Sequence, residues 1–211
     1  MRLLSRRELL WAGVLLAARP VAAARLALEP AGDDQAALGF DGIEGAITLP
    51  SARARIAFAL PVAGREVAGV AFGADAAGTT IDLVALCGWD GACLRLLGLE
   101  VLSLTGPGGA NLASRFAGVG DRTRLRVDRT AAVPRPGLPL RWESFSDFLA
   151  WREQAPLADA PVRPPLPGTR QAVLAAGRAR VAMLLREPCQ AVTPQMLAAV
   201  ATRYIERRAL A

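Results

Sequence analysis

The stretch RTRLRVDRT, Arg122–Thr130, carries the clearest two-residue period in the chain. Arg122, Arg124, Arg126 and Asp128 alternate with Thr123, Leu125, Val127 and Arg129. Successive side chains of a strand point to opposite faces, so this pattern reads as a β-strand with one charged and one mostly apolar side. Its neighbours share the texture. ARIAFAL alternates Ile56, Phe58 and Leu60 with alanines, EVAGVAF is interrupted by Gly69, and TTIDLVAL and CLRLLGLEVLSL are apolar and partly β-branched. LPLRWE reads as a last short strand, and LASRFA fits a short helix or a strand equally well. Short strands separated by Gly/Pro turns predict a mainly β domain over residues 51–155, an antiparallel sandwich or small barrel.

The period changes after Glu143. In SFSDFLAWREQ, Phe145, Phe148, Leu149 and Arg152 fall on helical spacing, and Ser144 and Asp147 resemble a capping box. A short helix closing the β domain is therefore expected. Residues 156–168 hold five prolines and read as a semi-extended linker. Residues 169–211 then read as a helical hairpin. Val173, Gly177, Val181 and Leu184 form one stripe, Thr193-Pro194 starts the second helix, and Arg207-Arg208 end it. Residues 25–50, with Asp33-Asp34 and several glycines, read as a partly ordered lead-in.

The start of the chain concerns destination. Ser5-Arg6-Arg7, then Leu9-Leu10 and an apolar run to Ala18, resembles a twin-arginine (Tat) export signal. The run is too short to cross a bilayer core of about 30 Å. Arg19-Pro20 and Ala22-Ala23-Ala24 complete a cleavage-site pattern, so residues 1–24 are expected to be removed after about Ala24, leaving a periplasmic protein. The alternative is an uncleaved amphipathic anchor. No later run reaches transmembrane length.

Composition excludes a good deal of chemistry. The chain has no histidine, and all 25 basic residues are arginine. Nucleophiles activated by imidazole, lysine Schiff bases, Ser-Lys dyads and a Walker-loop lysine are therefore absent. Histidine-bearing zinc sites go with them. No cofactor or metal is expected. The net charge of +6 falls to +3 once residues 1–24 are set aside, because they hold four arginines against Glu8. That is too mild for a nucleic-acid footprint.

The candidate sites are few. CGWDGAC places Cys87 and Cys93 across a glycine-rich turn without the C-x-x-C spacing of thiol exchangers. Directly paired strand positions lie within disulfide reach, and an oxidising address favours the bond. A disulfide-closed hairpin is expected, its small ring contributing about 2 kcal/mol. Cys189 is then the odd thiol, either a buried small residue or an intermolecular bridge. Trp89 and Asp90 would stand at the hairpin tip, where the indole either meets a partner or sugar ring or folds back on the sheet. Arg122, Arg124 and Arg126 either grip an anionic ligand or form the solvated face of a half-buried strand. Trp142 and Trp151 lie on periodic elements and fit core or interface positions.

Carboxylates are the remaining acid/base groups, and Asp33, Asp34, Asp82, Asp90, Glu100 and Glu143 are candidates for a hydrolytic pair. The first functional expectation is a non-catalytic periplasmic accessory protein, engaging a protein partner or envelope component through the C-terminal helices or the Trp89 hairpin. The second is a carboxylate-dependent hydrolase or lyase acting on envelope glycan, and the third is a small-ligand carrier.

Overall fold

The computed structural model describes residues 26–40, 43–62, 65–76, 79–89, 94–105, 111–119, 124–135, 137–151, 158–159, 165–167, 169–185 and 191–206. The export-signal segment, Asp90, Cys93, Arg122 and Cys189 lie outside them. The described residues form a mainly antiparallel β structure with two helices.

Strands β1 (Leu26–Gly32), β2 (Gln35–Phe40) and β3 (Ile43–Leu49) make a three-stranded sheet. The supposed lead-in is thus an ordered layer. Leu26, Ala36, Leu38, Ile47 and Leu49 are buried in it, spaced so that they line one side.

The second sheet is an up-and-down meander. Its members are β4 (Arg55–Val62), β5 (Arg65–Ala76), β6 (Thr79–Trp89), β7 (Leu94–Thr105), β8 (Asn111–Gly118), β9 (Arg124–Arg135), β10 (Leu138–Ala150) and the short β11 (Ala158–Asp159). Each strand pairs antiparallel with its sequence neighbour, so β4 and β11 are the edges. LASRFA is strand β8.

One junction shapes this sheet. β7 and β8 pair only from Ser103↔Ala113 to Thr105↔Asn111, and a register shift lies just before that point on β7. Beyond the junction, arm β4–β7 and arm β8–β10 turn toward each other. Between them lies an apolar core of Val67, Val84, Leu86 and Leu97 from the first arm, with Phe116, Leu125, Val127 and Leu149 from the second. Phe58 on β4 stacks on Phe116 on β8, with ring centroids 4.9 Å apart. A second core lies on the opposite side of β5–β7, where Val70, Phe72, Leu83 and Ala85 meet the small sheet and both helices.

The expected helix after Glu143 is absent, because SFSDFLA continues β10. Phe145, Asp147 and Leu149 alternate with Ser146, Phe148 and Ala150, and each pairs in register with β9. The acidic residue at an inward position masked the strand period. The proline-rich segment is not wholly a spacer either, since Ala158–Asp159 pairs with Leu149–Ala150 as β11.

Helix α1 (Arg170–Leu184) is capped by Thr169, whose Oγ1 accepts from Ala172 N at 3.3 Å. Helix α2 (Pro194–Glu206) follows Thr193, whose Oγ1 accepts from Met196 N at 3.4 Å, as the Thr-Pro pair predicts. The buried stripe of α1 is Leu174, Gly177, Arg178 and Val181, whereas Leu184 of the expected stripe is exposed. A Cβ at Gly177 would sit 3.3 Å from Ala199 O, so the glycine lets the helices approach closely. Val192 N donates to Thr48 O at 3.0 Å, tying the segment before α2 to the small sheet.

Close contacts across the cores make two glycines sensitive. A Cβ on Gly69 would fall 2.2 Å from the Phe58 ring, and one on Gly88 2.5 Å from Leu97 and 2.7 Å from Trp151. Gly69→Val is expected to push Phe58 off Phe116 and destabilise by about 1–3 kcal/mol. A thermal melt measures this, and an unchanged midpoint would contradict the packing described.

Candidate functional site

The expected staple is not formed. Cys87 is a buried free thiol, and its cross-strand partner in register is Leu96. The hairpin pairs as Cys87↔Leu96, Gly88↔Arg95 and Trp89↔Leu94, three residues out of the register that a direct Cys87–Cys93 pairing requires. Burial pushes its pKa up, the opposite of a reactive thiolate.

Trp89 ends β6 and packs on Phe40 of the small sheet, with ring centroids 5.1 Å apart. Its indole therefore joins the two sheets, and its buried Nε1 has no hydrogen-bond partner among the described residues. Of the arginine stripe, Arg126 is exposed and pairs with Asp128 at 2.6 Å, and Arg124 lies 5.3 Å over the Phe148 ring. The structure does not bring Trp89 together with the arginines. Trp89 is on β6 facing β2, whereas Arg124 and Arg126 are on β9.

The candidate carboxylates are dispersed or occupied. Asp33 and Asp34 are exposed at the β1–β2 turn. Asp82 accepts from Ser103 Oγ at 2.6 Å, and Glu143 accepts from Arg170 NH1 at 2.7 Å. Glu100 belongs to a cluster that the sequence reading did not assemble.

That cluster joins β7, β8, β9, β10 and α1. Arg129 NH2 donates to Glu100 Oε2 at 2.5 Å, and its Nε donates to Asp147 Oδ2 at 3.0 Å. Its NH1 donates to Ser114 Oγ at 2.7 Å and Val101 O at 3.1 Å. Arg178 reaches down from α1, with Nε donating to Glu100 Oε1 at 2.5 Å and NH2 to Asp147 Oδ2 at 3.1 Å. Gln171, two turns earlier on the helix, donates from Nε2 to Asp147 Oδ1 at 2.9 Å. All four charged side chains are buried, Arg129 to 1% exposure.

The strand period explains why these residues meet. On one face of β9, Leu125, Val127, Arg129 and Ala131 follow one another, and on β8 the sequence is Leu112, Ser114, Phe116. On β10 it is Phe145, Asp147, Leu149. Each strand thus runs apolar, polar, apolar, and the polar positions align as a band between the two cores. Two guanidinium groups balance two carboxylates, so the band is formally neutral.

Burial alone would raise the pKa of Asp147, but the charges of Arg178 and Arg129, with hydrogen bonds from Gln171 and Arg129, hold it below the usual carboxylate value. An ionised, solvent-shielded carboxylate in this setting serves as an acceptor for the two guanidinium groups around it. The sequence signal was Arg129 itself, a lone charge on the apolar face of β9. Arg178 and Asp147 gave no comparable sign, because each lay in a segment whose period pointed elsewhere. Among the described residues no group of three or more Cys, Asp or Glu side chains has the arrangement of a metal site.

No family model matches the chain, and neither the curated proteins nor the solved structures contain a significant match.

Removing one member should be costly, because its partners stay buried. Arg178→Met is expected to destabilise by about 3–5 kcal/mol. The added cost of Glu100→Gln in that background should be well below its cost alone, which a double-mutant cycle of denaturant midpoints measures. Additive costs would contradict the cluster. The sign of the pH effect follows from Asp147, whose folded-state pKa is lowered. Its contribution is complete above its unfolded value of about 3.9 and is lost as pH falls through the folded value. Melting temperatures should fall below about pH 4, and Asp147→Asn should flatten part of that acid limb.

Proposed function

We propose that this chain is a non-catalytic, exported accessory or binding protein that engages an anionic envelope component through the outer face of β8–β10. Export rests on the Ser5-Arg6-Arg7 segment and the apolar run and small residues after it. The binding face rests on how charge is distributed over the meander.

The buried carboxylates Glu100 and Asp147 are engaged by arginines inside the fold. On the opposite side of the same strands, Arg115, Arg124 and Arg126 occur with Asp128 as the one acid in this register. Arg115 stands opposite Asp128, and Arg126 stands between Ala117 and Phe148. The small sheet and the helices cover β5–β7 on their other side, so they leave this outer face open. Guanidinium groups suit phosphate and carboxylate oxygens because their forked donors match such groups. This excess of arginine on an uncovered face is the observation that carries the reading. It also moves the expected contact surface away from the Trp89 hairpin and the helices, which are packed against the rest of the protein.

The test is co-sedimentation of the purified protein with an envelope fraction. Replacing Arg115, Arg124 and Arg126 together by Gln should lower the bound share at least about fivefold, with fold stability changed little because the sites are on the surface. Equal binding by the variant would overturn the reading. Arg6→Lys with Arg7→Lys should keep the tagged full chain out of the periplasmic fraction, and unchanged fractionation would remove the export part.

A further inference from the structure

The outer face of β8–β10 carries more than arginine. Trp142 belongs to the same side of β10 as Ser144, Ser146 and Phe148, and it is 63% exposed. Leu138, at the start of the same strand, is 59% exposed, but the extra residue between Leu138 and Arg141 sets it on the side of Arg141, away from Trp142. Trp142 stands opposite Ala132, at the end of the stretch in which β9 pairs with both of its neighbours. The last β8–β9 pair is Asn111↔Ala132, yet the β9–β10 ribbon continues through Arg141↔Val133 to Leu138↔Arg135. On the other edge, β11 pairs only with Leu149 and Ala150, at the far end of β10. The ribbon turns through Gly137, whose φ of +67° suits glycine. Beside Trp142 stands Arg141, with its side chain 64% exposed and 3.7 Å from Glu143.

We propose that this face lies on an anionic lipid surface, with Trp142 entering the headgroup boundary and Arg115, Arg124 and Arg126 over the phosphates. The inference rests on the binding reading above and names its partner as lipid. Indole is amphipathic and favours the boundary between water and hydrocarbon, where an exposed tryptophan gains what water does not give it. Arginine stems bury along apolar surface while their heads reach phosphate. The spacing also favours lipid over a protein partner. Arg115 and Trp142 are two strand repeats apart in register, about 14 Å. Between them lie the small residues Ala113, Thr130 and Ser144. A protein interface concentrates its energy in a central packed cluster, whereas separate cationic and aromatic contacts on a smooth face suit a laterally continuous surface.

The test uses the purified full chain and sucrose-loaded vesicles, either phosphatidylcholine alone or phosphatidylcholine and phosphatidylglycerol in equal parts. The protein should sediment with the mixed vesicles and not with phosphatidylcholine alone, and added salt should weaken binding. Replacing the three arginines by Gln should weaken binding about tenfold or more. Trp142→Ser should weaken it to a similar degree while leaving the melting temperature near that of the parent. Absence of binding to the mixed vesicles, or equal binding by both variants, would overturn the proposal. So would a Trp142-dependent complex with a soluble protein in the absence of vesicle binding. If the vesicles fail but the envelope fraction still needs the arginines, lipid is the wrong partner and the binding reading stands. If both fail, the face is not a binding face.

Discussion

Four charged side chains hold this fold in register. Arg129 and Arg178 share Glu100 and Asp147 in a sealed band between two apolar cores, and the band draws on four strands and a helix. Burying such charges is expensive, and packed apolar residues of similar size often hold a fold as well or better. What the band supplies is definition. An apolar helix face slides over an apolar sheet at little cost, whereas Arg178 fits between Glu100 and Asp147 at one position of α1. Gln171 and Arg170 extend the same match along the helix, on Asp147 and Glu143. The helical pair is therefore placed by donors and acceptors and then covered by Leu174, Val181, Met196 and Val200.

The same band accounts for the division of labour among the carboxylates. Glu100, considered from the sequence as a possible acid or base, is an acceptor for two guanidinium groups and is hidden from solvent. The surface then carries the arginine that these buried pairs leave over. In a chain without lysine, every cation is a fork with a planar head, and both uses of arginine come from that one shape.

Much of the β architecture was legible, because RTRLRVDRT and ARIAFAL alternate with the period of a strand and TTIDLVAL is apolar and β-branched. The Thr193-Pro194 helix start was legible for the same kind of reason, a local signal with a local cause. What was missed depends on distant partners. The strand period of SFSDFLA was hidden by Asp147, an inward charge that makes sense only once Arg129 and Arg178 are beside it. Residues 26–49 looked like a loose lead-in because their apolar positions are sparse, and they become a sheet by packing on β7 and its neighbours. The Cys87–Cys93 pairing assumed a tighter hairpin, and the register at the end of β6, Trp89↔Leu94, sets Leu96 opposite Cys87 instead. The arginine stripe was seen on β9, but its cross-strand companions Arg115 and Trp142 depend on a register no single segment contains.

The meander has a consequence for how the chain reaches this state. Every pairing in the large sheet joins neighbours in sequence, so the strands can zip from any hairpin with little loop to close, a favourable topology for rapid β assembly. The ionic band is different, because Glu100 and Arg178 are 78 residues apart. Until α1 arrives, the assembled strands hold Glu100 and Asp147 against Arg129 alone, a surplus of negative charge at the seam between the cores. The helix thus brings the missing cation as well as its apolar face, and its docking neutralises an intermediate that the sheet by itself leaves unbalanced.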